Sequence, residues 1–135
     1  MTLVDTNVLL DLTTNDPVWA DWLIRQLDAA AIKGQLVINS VVYAELSVRF
    51  ERIEDLDAML EDAGIRLADI PRSALFLAGK VFQRYRAAGG KRNGIPPDFF
   101  IGAHAAVAEL PLLTRDLQRY RSYFPSLILI APQME

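Results

Sequence analysis

The chain has no cysteine and one histidine, His104. The first absence excludes disulfides, thiolate zinc sites and cysteine nucleophiles. The second excludes any site that needs two imidazoles from one chain. A bound metal must therefore sit among oxygen ligands, which favours hard cations such as magnesium or manganese. Long hydrophobic runs are missing too: the longest, Phe99 to Ala108, is too short to cross a bilayer and contains His104. The opening residues, Met1-Thr2-Leu3-Val4-Asp5, carry neither the basic nor the apolar region of a secretory signal. No membrane association and a cytoplasmic location are the expectations.

What is present is a globular balance, with 52% hydrophobic and 23% charged residues. A chain of 135 residues fits one domain, 1–135, with little room for a second core. The net charge of −3 conceals an asymmetry. Residues 80–121 carry eight bases (Lys80, Arg84, Arg86, Lys91, Arg92, Arg115, Arg119, Arg121) against three acids (Asp98, Glu109, Asp116), leaving that segment at +5 and the rest at −8. A basic sector on an acidic protein suits phosphate binding; a solvated helix face explains it equally well.

Short apolar runs alternate with helical patterns. Leu3-Val4, Leu36-Val37-Ile38, Leu112-Leu113 and Leu127-Ile128-Leu129-Ile130 read as strands buried on both faces. Val18 to Ala31 has helix spacing, opened by Asp16-Pro17 as cap and first-turn proline and closed by Gly34. Ser40 to Val48 reads as a second helix with Ser40 as cap. Leu56, Met59 and Leu60 mark a third, ended by Gly64, and Pro71 to Gly89-Gly90 brackets a fourth. Pro96-Pro97-Asp98 starts a helix apolar on nearly every side, which must be buried. Strands separated by helices imply a parallel sheet covered on both faces, with sites beyond the carboxyl ends of its strands.

Four acids fall at or near those ends. Asp5 follows the first strand, Glu45 lies in the helix after the second, Asp98 opens the most buried helix, and Asp116 follows Leu112-Leu113-Thr114-Arg115. Singly, each has an ordinary explanation as a cap, a turn residue or a solvated side chain. Together they point to a cluster, because converging carboxylates repel unless one keeps a proton or a divalent cation joins them. Magnesium or manganese held by carboxylates lowers the pKa of a bound water and stabilises charge on a phosphoryl group.

The motifs Asp5-Thr6-Asn7, Tyr43-Ala44-Glu45, Pro97-Asp98-Phe99-Phe100-Ile101-Gly102-Ala103-His104-Ala105 and Leu113-Thr114-Arg115-Asp116 resemble those of PIN-domain ribonucleases. The similarity is closest to the VapC toxins of bacterial toxin–antitoxin pairs and runs from Leu3 to Pro132. It implies an α/β three-layer sandwich, with a parallel five-stranded sheet between helices. It also implies a Mg²⁺- or Mn²⁺-dependent endoribonuclease that leaves a 5′-phosphate, forms a homodimer and is inhibited by a cognate VapB antitoxin. Residue by residue, Asp5, Glu45, Asp98 and Asp116 match the acidic quartet, as catalytic and metal-binding residues. Thr6, Asn7 and Thr114 match polar residues that support the ligands or their waters. Arg84, Arg86, Arg115, Arg119 and Arg121 are the candidates for RNA phosphates. The alternative is a PIN-like module that binds RNA or protein without cleavage.

Other residues admit two readings. His104, about 240° around the helix from Asp98 at 100° per residue, is expected to serve packing or an interface. Gly102 permits close packing or leaves space over a metal. Trp19 and Trp22 serve the core or an antitoxin groove; Tyr120, Tyr123 and Phe124 stack bases or pack before the last strand. An aspartyl-phosphate phosphatase is disfavoured by Asn7, which stands where its second Asp belongs. A response-receiver domain is disfavoured because no Lys follows Lys91.

Overall fold

Five strands, all parallel, form one sheet in the order β3-β2-β1-β4-β5. The computed structural model describes residues 1–14 and 17–132. At the centre, β1 (Thr2–Val4) pairs on one side with β2 (Leu36–Ile38) and on the other with β4 (Leu112–Leu113). Every residue of these three strands is buried. Because side chains alternate between faces along a strand, continuous burial means that helices cover both faces. The family resemblance implied this architecture, and the sheet has it.

Two strands differ from the reading of the apolar runs. The β3 strand (Ile65–Leu67) had no such run, since Arg66 and Leu67 are exposed at the sheet edge and only Ile65 is buried. The last strand, β5 (Leu129–Ile130), is shorter than expected and only half-buried, because it forms the opposite edge.

Helices α1 (Thr6–Thr14) and α2 (Ala20–Lys33) connect β1 to β2. No pattern announced α1; its buried face is narrow and includes Thr6 and Asp11 beside Val8 and Leu9. Pro17 lies in a turn ahead of α2 instead of in its first turn, and Trp19 occupies the cap position; Asp16 falls outside the described residues. Helix α3 (Ser40–Ser47) is capped by Asn39, not Ser40: the Asn39 Oδ1 accepts from the Val42 N–H at 3.0 Å. Asn39 also meets His104 Nδ1 at 3.1 Å in the core, so its burial fixes the choice of cap.

Helix α4 (Ile53–Asp62) precedes β3, and Gly64 supplies the left-handed turn between them at φ 68°. The long α5 (Arg72–Ala87) packs on α6 (Pro97–Ala108), whose buried residues run from Phe99 to Ala105 except Phe100. Helix α7 (Leu117–Tyr123) links β4 to β5. Among the described residues, no helix is long and apolar enough to cross a membrane.

Candidate metal centre

From β1 the chain moves to β2 and β3 on one side, and returns to build β4 and β5 on the other. The reversal at β1 is a topological switch point, where the loops after adjacent strands diverge and leave a crevice at their carboxyl ends. Asp5 leaves β1 there, tied to the neighbouring strand by its N–H to the Leu113 carbonyl at 2.9 Å. Thr114 and Asp116 leave β4 beside it. Glu45 arrives on α3 and Asp98 in the first turn of α6.

A continuous set of contacts links the four carboxylates. The Thr114 hydroxyl donates to Asp5 Oδ2 at 2.7 Å, and the Thr6 N–H donates to Asp5 Oδ1 at 2.8 Å. The Thr6 hydroxyl donates to Glu45 Oε1 at 2.6 Å. On the other flank, the Asp116 N–H donates to the Thr114 hydroxyl at 3.0 Å. Arg119 closes the set, with Nη1 at 2.8 Å from Asp98 Oδ2 and 3.5 Å from Asp116 Oδ2. Neither Asp98 nor Asp116 uses its carboxylate as a helix cap, although Asp116 stands at the cap position of α7. Asn7 lies one step out, accepting from the Arg115 N–H at 3.3 Å.

Asp5 is 5% exposed, and burial raises its pKa from 3.8 to about 6. The hydrogen bonds from Thr114 and Thr6 oppose that rise, and the charge of Asp98 adds to it. The Tyr120 hydroxyl, fully buried against Asp5, has no hydrogen-bond partner of good geometry. Burial foremost, then the charges of Asp5 and Asp98, push its pKa well up, so it stays a neutral phenol. From sequence, Tyr120 was open between base stacking and packing, and nothing placed it against Asp5. Its position, one turn after Asp116, was the available signal.

The donor set fits a hard divalent cation: four carboxylates backed by threonine hydroxyls, with an uncommitted buried phenol beside them. His104 is no part of it, being committed to Asn39 and held below its ordinary pKa by burial. Among the described residues, no three acids converge into a ready-made cage.

The remaining arginines divide. Arg115 gives Asp11 two contacts of 2.6 Å and lies over the Trp19 ring, 5.0 Å from its centroid. Arg86 holds Arg92 and Asn93 of the following loop, Arg121 holds the Pro125 and Leu127 carbonyls, and Arg84 is exposed on the last turn of α5. Two clefts flank the acids. One of about 350 Å³ is lined by Asn7, Asp11, Arg49, Arg115 and Asp116; the other, about 140 Å³, by Arg92, Asp98, Arg119 and Tyr123. A larger cavity, about 750 Å³, lies at the β3 edge and contains none of the four acids. Of the aromatics left open by sequence, Tyr120 and Phe124 are buried and Tyr123 packs on Phe99, which is the packing alternative. Gly102 also serves packing, since a Cβ there would meet the Phe124 ring at 2.4 Å.

The sequence profile of the PIN domain matches residues 2–124. Solved structures with the same fold include VapBC2 from Rickettsia felis bound to a promoter DNA fragment (22% identity, 98% of each chain covered, TM-score 0.76). VapBC-1 from nontypeable Haemophilus influenzae is similar at 18% identity, with 96% of each chain covered and a TM-score of 0.71. DNA-bound VapBC from Salmonella typhimurium follows at 21% identity, with 97% of this chain and 98% of the other covered and a TM-score of 0.70. No curated protein matches the chain significantly in sequence.

Proposed function

The chain belongs to the PIN domain family, and from that premise we propose that it is a metal-dependent endoribonuclease, the toxin of a VapBC-type toxin–antitoxin pair. The observation that carries the reading is the acidic quartet, linked through Thr6, Thr114 and Arg119 at the switch point of the sheet. Asp5, Glu45, Asp98 and Asp116 are the residues that would hold Mg²⁺ or Mn²⁺, which when bound would lower the pKa of a water and offset charge developing on a phosphoryl group.

The chain's own groups do the rest. Thr6 fixes one oxygen of Glu45 and leaves the other to orient the attacking water. Thr6 and Thr114 lock both oxygens of Asp5 in place, so its orientation is set before substrate arrives. Asn7 holds the backbone of Arg115 and so the mouth of the larger flanking cleft. RNA runs across the two clefts, its flanking phosphates meeting Arg115 and Arg119, with Arg84, Arg86 and Arg121 further along the strand. In the hydrolysis, a water oxygen bonds to phosphorus, the bond from phosphorus to O3′ breaks, and O3′ takes a proton. The products are a 5′-phosphate and a 3′-hydroxyl.

The VapBC neighbours support a VapB-type antitoxin as partner. An inhibitor of this site must bring positive charge to the quartet, and a partly disordered segment that folds on binding suits that task. A homodimer in the cytoplasm is part of the same proposal. The second reading, a PIN-like binding module without cleavage, is favoured by one observation: no three acids are drawn together among the described residues.

Sequencing the ends produced in total RNA separates the two. The nuclease reading expects discrete 5′-phosphate ends in Mn²⁺ that vanish with a chelator and in Asp98→Asn. RNA left intact by well-folded protein in millimolar Mn²⁺ would establish the binding module.

A further inference from the structure

The quartet has two halves, stabilised by different means. Around Asp5 and Glu45 the donors are neutral: the Thr6 and Thr114 hydroxyls and the Thr6 N–H. Around Asp98 and Asp116 the neutralising group is a cation of the chain itself. One nitrogen of Arg119 reaches both carboxylates, at 2.8 and 3.5 Å, although Asp98 comes from α6 and Asp116 from the start of α7. A single positive centre shared by two carboxylates is the electrostatic arrangement a bridging metal ion would create.

We infer that Arg119 is the site's resident counter-cation, a guanidinium that a divalent ion must displace before the quartet can close. The inference rests on the metal reading of the site given above. Exposure argues that displacement is possible: the Arg119 side chain is 52% exposed, Asp116 45% and Asp98 25%, and ion pairs open to water are weak. The contrast with Arg115 is direct. That arginine is clamped by both oxygens of Asp11 and stacked on Trp19, and only a third of it is exposed. Arg115 is built to stay and Arg119 to leave.

The same contact accounts for the open arrangement of the acids. With Arg119 between them, Asp98 and Asp116 are compensated where they stand and gain nothing by approaching Asp5, whose buried carboxyl already feels the charge of Asp98. Once displaced, the guanidinium remains at the cleft shared by Asp98, Arg92 and Tyr123, placed to meet a phosphate of bound RNA.

Mn²⁺ binding to the full chain, followed by electron paramagnetic resonance and by calorimetry, tests this without any activity measurement. Arg119→Gln removes the competitor and should bind Mn²⁺ roughly fivefold more tightly, the ratio expected for losing one exposed ion pair. Arg119→Lys keeps the charge and should stay near wild type. The metal-free Gln variant should also melt lower and gain more from Mn²⁺, while its cooperative melt confirms folding. Equal affinity in wild type and Arg119→Gln would overturn the inference while leaving the metal reading intact. Weaker binding in the Gln variant would also overturn it, by making Arg119 a positioner of the ligands. No Mn²⁺ binding by either protein would overturn the metal reading, and this inference with it.

Discussion

Helices α6 and α7 each present neighbouring residues to two different environments. Asp98, Arg119 and Tyr120 face the acid site; Phe99, Tyr123 and Phe124 face an aromatic nest with Phe82 and Tyr85. In the nest, ring centroids lie 4.7 to 6.5 Å apart, mostly tilted or edge-to-face. At the site, by contrast, a buried carboxyl is pushed up to about 6, the buried phenol beside it has no hydrogen-bond partner of good geometry, and the ion pair is partly open to water. The helices are anchored by the first region, which leaves the second free to be under-satisfied. The aromatic nest and the acid site are separated by a single residue step, from Asp98 to Phe99.

The largest expected effect breaks the comparison at that step. Phe99 is 2% exposed and meets four aromatic rings, so Phe99→Ala should cost about 3–5 kcal/mol of unfolding free energy. Asp98→Asn, one residue earlier, loses an exposed pair with Arg119 and relieves repulsion with Asp5. It should change metal-free stability by less than about 1 kcal/mol. Denaturant unfolding in chelator measures both. An Asp98→Asn protein as unstable as Phe99→Ala would make the acid site a structural element of the fold.

Next in size is a pH effect confined to the acid side. The folded pKa of Asp5 is raised, to about 6 from 3.8, so the native state holds this proton more tightly than the unfolded chain. Its contribution is therefore most favourable below pH 3.8 and is lost as pH rises through about 6. The shift corresponds to about 3 kcal/mol across that window. Asp5→Asn does not titrate, so its stability relative to wild type should improve by about that amount between pH 4 and pH 7 in chelator. A difference that stays flat with pH would place Asp5 in a more solvated setting.

How much of this was legible in sequence follows the same division. The quartet stood out because acids at strand ends violate the apolar pattern around them, whereas Thr6 and Thr114 were marked as its supports by the family resemblance alone. The central strands were legible as well, being continuous apolar runs. Edges were not: β3 has one buried residue out of three, so no period marks it. Helix α1 went unread because its buried face includes Thr6 and Asp11, residues whose burial depends on partners such as Glu45 and Arg115 distant in sequence. The cap of α3 passed from Ser40 to Asn39 for a similar reason, the contact with His104 lying 65 positions away. Arg119 was legible as a cation, but its placement between two acids depends on how α6 and α7 meet. Pairwise tertiary contacts leave no periodic trace.

The smallest expected effect sharpens the comparison by straining the apolar side alone. A methyl group on Gly102 would sit 2.4 Å from the Phe124 ring, which is buried and set edge-on to Phe99 at 6.5 Å. Gly102 lies inside α6, so Ala gains about 1 kcal/mol in helix propensity. Overpacking against a ring with no free space costs about 1–3 kcal/mol, so the clash wins by a modest margin. Gly102→Ala should lower the melting temperature by a few degrees, as expected for a net loss of up to about 2 kcal/mol. The displaced ring closes α7 at its carboxyl end, whereas Asp98 and Asp116 stand at the opening turns of α6 and α7. Mn²⁺ affinity measured well below the melting transition should therefore match wild type. A Gly102→Ala protein that keeps its melting temperature but loses Mn²⁺ would show strain crossing α7 into the site, and the two regions would not be separable.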